Sequence, residues 1–152
     1  MAGTVIPTET HVPKATKLFI VMACLALVGL TDAIYLTVQH ITGESVRCTI
    51  VSGCSEVLSS QYSSINGVPL ALIGAVAYFT VFSLATLAAF GYPSVGKLLM
   101  VVVGLMFLTT LWLIYLQAFV IGHFCQFCLL SAFVTIALTV LVVFAARRRF
   151  RS

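Results

Sequence analysis

Four runs of about twenty residues with almost no charge dominate this chain, and a run of that length in helical form matches the hydrocarbon thickness of a bilayer. They cover residues 18–38, 69–90, 98–122 and 127–146. The 152 residues are 61% hydrophobic and only 8% charged, where soluble domains carry about 25% charged residues. The predicted fold class is therefore all-α, a polytopic membrane protein built as a four-transmembrane-helix bundle with a long first loop. Each run is apolar all round, so its periodicity does not say which face is buried. Gly74, Ala75 and Ala77 in the second run, and Ser131 and Ala132 in the fourth, are small enough for helices to approach closely.

Residues 1–17 include Glu9, His11, Pro13, Lys14 and Lys17, too polar for a signal-peptide core, so the first run is read as a retained helix behind an N-terminal tail. The membrane domain then covers 18–146, and a basic tail covers 147–152. Two connections inside the domain are short, around Gly91, Tyr92, Pro93 and Ser94, and around His123 and Phe124. The first, 39–68, is long and polar, and long loops carry function more often than short ones. It closes on a turn signal, Asn66-Gly67, followed by Pro69, which suits a helix start. Residues 55–60 are expected to form a short helix on the bundle.

The net charge of +4 is the excess of eight basic residues, Arg147, Arg148, Arg149 and Arg151 together with three lysines and Arg47, over four Asp and Glu. Arginines directly after an apolar run are a topology signal and not a nucleic-acid surface, and no nucleic-acid partner is expected. Seven of the eight Lys and Arg residues fall on one side of a four-helix arrangement, with Arg47 alone on the other. The positive-inside bias predicts cytoplasmic termini and places the first and third loops on the extracytoplasmic face, periplasmic in a bacterium. The expected location is the plasma (inner) membrane.

That topology brings Cys48, Cys54, Cys125 and Cys128 to one face, where compartments tolerate disulfides. Thiol–disulfide exchange requires a thiolate and an accessible disulfide sulfur. A C-x-x-C that opens a helix provides both, because sulfurs at i and i+3 share a face and the first lies over unpaired N–H groups that favour a thiolate. Cys125 is expected to be the more reactive sulfur, and Cys128, one turn deeper, to face the bundle interior. Cys48 and Cys54 lie on backbone loosened by Gly53, able to meet a partner and swing toward Cys125. Oxidation of a dithiol releases two electrons and two protons, and a lipid-soluble quinone held beside Cys128 accepts both. Three other readings of these cysteines stand beside the relay: packing, a structural staple across the loop, and a four-thiolate metal site.

One Cys pair in the first outer loop, a serine six residues after its second Cys, and a C-x-x-C opening the fourth helix form a specific order. Here they are Cys48, Cys54, Ser60, Cys125 and Cys128. The order, and the segment Cys54-Ser55-Glu56-Val57-Leu58-Ser59-Ser60, resembles the vitamin K epoxide reductase family and its bacterial homologues over about residues 18–146. The resemblance implies a bundle around a quinone of the ubiquinone or menaquinone (vitamin K) type, fed by a thioredoxin-like protein. It implies that Cys54 accepts attack from that partner, that Cys48 passes electrons to Cys125, and that Cys128 contacts the quinone. Ser60, with Tyr62, is then a quinone-binding candidate, and no metal is expected. Animal members carry a tyrosine where this chain has Ala132 and an asparagine where it has Leu70, departures that argue against epoxide reduction. A separate DsbA-like partner is expected, because the chain stops at Ser152 without a fused thioredoxin-like domain. The competing Dsb-type bundle places its C-x-x-C in the first outer loop, and the order here is the reverse.

Seven further residues have readings of their own. Asp32, a carboxyl within the first run, either manages quinone protons or is a hydrated interfacial group. His123 either supports a thiolate or is merely interfacial, and His40 has a weaker claim. Cys24 is expected to face other helices as a small core residue. Tyr62, Phe124 and Phe127 are candidate walls of a quinone pocket or ordinary interfacial aromatics.

Overall fold

The computed structural model describes residues 14–151, so the tail residues 1–13, among them Glu9, His11 and Pro13, and Ser152 lie outside it. Among the described residues, four helices are long and apolar enough to cross a membrane, as the composition predicts. The first is α1 (Lys14–Thr42). In the loop that follows, α2 (Cys54–Ser59) precedes a small hairpin of β1 (Ser64–Ile65) and β2 (Val68–Pro69). The remaining long helices are α3 (Leu70–Ala89), α4 (Val95–Tyr115), which runs into a π-helical turn (Leu116–Ile121), and α5 (Gln126–Arg151).

Helical hydrogen bonding does not stop where the apolar run stops. The 29 residues of α1 include Lys14 and Lys17 and rise about 43 Å at ~1.5 Å per residue, more than the hydrocarbon core needs. The arginines of the predicted C-terminal tail likewise form the last turns of α5, where cations meet the negative end of the helix dipole. The divisions at 17/18 and 146/147 therefore mark changes of composition inside helices and not changes of backbone. Arg149 Nη1 also donates to the carbonyl of Pro93 at 3.0 Å, tying the end of α5 to the turn between α3 and α4.

The hairpin is the part of the fold that periodicity does not reveal, since two-residue strands have no period. Asn66 and Gly67 both take the left-handed region (φ 51 and 81) that a two-residue hairpin turn requires. Ser64 pairs with Pro69 and Ile65 with Val68. The amide of Leu70 donates to Ser63 O at 2.8 Å, so α3 starts directly from the hairpin.

The helices close into a ring in which α1 and α4 each touch both α3 and α5. The main core lies between them and includes Met22, Ala26, Tyr78, Val81, Leu99 and Leu138. On α1 the buried stripe is Met22, Ala26, Gly29, Ala33 and Leu36, the three- and four-residue spacing of one helix face. Cys24 lies off that stripe and is exposed, which corrects its predicted place among the other helices. Gly29 is on the stripe for a steric reason, because a Cβ there would overlap the Tyr78 ring. Outward residues such as Phe79, Leu105, Leu108, Phe133 and Val140 leave an apolar girdle suited to lipid.

Candidate active site

A second cluster at the opposite end from the C-terminal arginines gathers all four expected sulfurs. Leu36, Val46, Cys54, Val57 and Cys125 are buried in it, with Cys48 and Cys128 packed against them. Cys48 and Cys54 are joined as a disulfide, their Cα atoms 5.8 Å apart, while Cys125 and Cys128 are free thiols. Their accessibility is unequal. Cys54, the first residue of α2, is 1% exposed, whereas Cys48 is only half-buried. Of the two loop sulfurs, Cys48 is therefore the one presented toward water and Cys54 the one enclosed.

Two contacts fix the loop against the C-x-x-C. Gly53 is buried with an extended φ of −174, so its purpose is not backbone freedom. A Cβ there would lie 2.7 Å from the carbonyl oxygen of Phe124 and 3.1 Å from the Cβ of His123, so only glycine lets the two loops touch. The swinging loop expected from Gly53 is instead a close backbone joint, and exposed His123 is part of it. The second contact comes from Gln126, between the two cysteines, whose Oε1 accepts from the amides of Thr49 and Ile50 at 3.2 and 3.0 Å.

Cys125 stands immediately before α5, and its carbonyl accepts the Leu129 amide at 3.0 Å, which closes the first turn. It is completely buried, although it stands at the mouth of the helix. Its thiol is nevertheless pulled down to about 7. The main cause is the hydrogen bond from the Cys128 thiol, helped by the backbone amides of Cys128 and Phe127 and opposed by burial. The predicted helix-mouth thiolate is thus favoured chiefly by its own partner. The π-helical turn supplies Gln117, 4% exposed, whose Oε1 accepts the Cys125 amide at 3.2 Å. Gln117 and Gln126 were absent from the expected site. Gln117 had one legible signal, an amide within the third apolar run.

Cys128 faces the other way, into a cavity of about 140 Å³ inside the bundle. An apolar cavity of similar size, about 150 Å³, accommodates a benzene ring in an engineered protein. Leu36, Leu58, Leu113 and Ile114 supply apolar wall, and Ser60, Tyr62 and Gln117 the polar points. The Ser60 hydroxyl donates to Val57 O at 2.7 Å, so it offers the cavity lone pairs and not a proton. Leu70 and Ala132, the two departures from the animal pattern, both line this cavity, as do Asp32 and His40. Phe124 and Phe127 do not, which corrects their predicted place as walls. Phe127 instead packs on Tyr35 with ring centroids 5.2 Å apart.

With this geometry established, residues 20–143 match the profile of the Vitamin K epoxide reductase family. The chain belongs to the vitamin K epoxide reductase family. A curated relative, the thiol-disulfide oxidoreductase LTO1 of Arabidopsis thaliana, is 32% identical over 121 residues, 74% of this chain. The chain spans about a third of that relative's length, 32%. Membership in the vitamin K epoxide reductase family accords with the four membrane-crossing helices and supports disulfide redox chemistry, that of an oxidoreductase.

Proposed function

We propose that this protein is a quinone-dependent, disulfide-generating oxidoreductase that reoxidises a thioredoxin-fold dithiol partner. The observation that carries the reading is the packing of Cys54 and Cys125 in one buried cluster while Cys48 faces outward and Cys128 the cavity. A partner thiolate attacks Cys48 Sγ, and the loop disulfide breaks with Cys54 leaving as thiolate. Cys54 attacks Cys125 of an oxidised Cys125–Cys128 pair, which releases Cys128. The partner's second thiol displaces Cys48 and completes the partner's disulfide. Cys48 then attacks Cys54, restoring the loop bond and releasing Cys125, whose lowered pKa makes it a good leaving group. Two electrons have passed from the partner to the inner pair.

A quinone, when bound, supplies a sink for two electrons and two protons. The cavity fits such a group, with Tyr62 and Gln117 as candidate donors to its oxygens and Leu36, Leu113 and Ile114 as walls. Apolar Leu70 and Ala132 favour reduction of a quinone of the ubiquinone or menaquinone type over vitamin K epoxide. A four-thiolate metal site is disfavoured by the bond between Cys48 and Cys54, which removes two of the four thiolates. We place the cysteine end on the extracytoplasmic face of a bacterial plasma membrane, since seven of the eight basic residues lie toward the other end.

A trapping experiment tests the sulfur order. In Cys54→Ala whose Cys48 carries a thionitrobenzoate leaving group in mixed disulfide, the single thiol of a partner variant lacking its second thiol is expected to displace thionitrobenzoate and accumulate bonded to Cys48, with no neighbouring loop thiol to displace it. In Cys48→Ala, free Cys54 is expected to bond to Cys125. Peptide mapping that found the partner on Cys54 of Cys48→Ala, with none on Cys48 of Cys54→Ala, would reverse the order.

A further inference from the structure

Among the described residues, one buried carboxyl is left without a task by the steps above. Asp32 is 7% exposed, and its Oδ2 is enclosed without a hydrogen-bond partner. It lines the cavity into which Cys128 faces. Among the described residues, the other titratable groups lining that cavity are His40, Tyr62, Tyr78 and Cys128, with no lysine or arginine. A carboxylate there lacks a cation, and an isolated buried charge costs several kcal/mol.

Several of the neighbouring polar groups are already committed. The Tyr78 hydroxyl bonds to Ser131 O, Ser131 Oγ and Thr135 Oγ1 at 2.9, 2.8 and 3.0 Å. The Ser60 hydroxyl is donated to backbone and Gln117 Oε1 is taken by Cys125, so Asp32 keeps unspent hydrogen-bonding capacity beside the inner thiol pair. Asp32, Leu36 and His40 follow at four-residue steps on one face of α1, and all three line the cavity. The stripe places half-buried His40 about 12 Å along the axis from Asp32, toward the outer end of the helix.

We propose that Asp32 is the proton-transfer residue of this cavity, an inference that rests on the quinone-coupled reading above. When the Cys125–Cys128 bond forms, two electrons leave the sulfurs for a quinone and Cys128 Sγ loses its proton. The Asp32 carboxyl gives its proton to a quinone oxygen and is reprotonated by the proton from Cys128. The Cys125 proton goes to water, and an equivalent proton enters from water through His40 to the second quinone oxygen. Two electrons and two protons are transferred, and Asp32 ends in the state in which it began.

The test uses the full chain in lipid nanodiscs with a short-chain ubiquinone and a reduced thioredoxin-fold protein. Asp32→Asn is expected to lower quinol formation about 10²-fold, the lower range for loss of a positioned acid or base, while Asp32→Glu recovers much of the rate. A second readout needs no quinone. Infrared difference spectra between the dithiothreitol-reduced and oxidised protein should contain the carbonyl stretch of a protonated carboxyl, and Asp32→Asn should remove it. Loss of rate with an unchanged infrared band, or rates within twofold of the parent, overturns the proton role. Cys128→Ser separates the two levels. If it abolishes quinol formation while Asp32→Asn does not slow it, only the proton role falls, and if both variants match the parent, the quinone-coupled reading falls with it.

Discussion

Cys125 has no exposure to water, yet its thiolate is the form its surroundings favour, and both facts come from its place directly before α5. A lowered pKa means that the thiolate is present above about 7 and is lost as pH falls through that value. Ultraviolet thiolate absorbance of the reduced protein is therefore expected to rise with a midpoint near 7, and Cys125→Ser should remove the transition. Cys128→Ala deletes the donor that contributes most, so the midpoint should move upward toward the ordinary cysteine range. An unchanged midpoint in Cys128→Ala would show that the helix amides alone hold the charge.

At the scale of elements, the loop and the start of α5 act as one unit because Gly53 and Gln126 join them. Gln126→Ala is expected to cost about 0.5–1.5 kcal/mol for each net hydrogen bond lost and to raise amide exchange at Thr49 and Ile50. It should also slow transfer from Cys54 to Cys125 by loosening the loop. Gln126→Glu keeps the accepting oxygen and should restore exchange protection, whereas equal protection in Gln126→Ala would mean the loop is held by Gly53 alone. These joints explain what was hard to read from the chain. The cysteine spacing marked the chemistry, since sulfur types and helix-mouth placement are local properties. Which sulfur is buried was not legible, because Cys54 is covered by Leu36, Val46 and Val57, two of them distant in sequence. Gly53 read as loosened backbone for the same reason, as its neighbours His123 and Phe124 come from another loop.

For the whole molecule, the four apolar runs made the bundle legible in advance, while uniformly apolar helices hid which faces meet. The exposed position of Cys24 is one result of that ambiguity. Orientation in the membrane has a direct test in cells with a membrane-impermeant maleimide. In a background lacking Cys48 and Cys54, Ser45→Cys is expected to label from outside intact cells and Ser94→Cys only after lysis. The opposite pattern would invert the proposed topology.

The two faces of the C-x-x-C turn have a further consequence. Cys125 points toward the loop cluster and Cys128 toward the cavity, so in the proposed relay this turn is a partition that passes electrons without passing molecules. In that relay every exchange begins at half-buried Cys48, which keeps small thiols and dissolved oxidants from short-circuiting the aqueous compartment and the lipid-soluble pool. On this proposal, selectivity for the electron source belongs to the surface around Cys48, and selectivity for the acceptor to the cavity wall. Either could be altered by substitution without retuning the other.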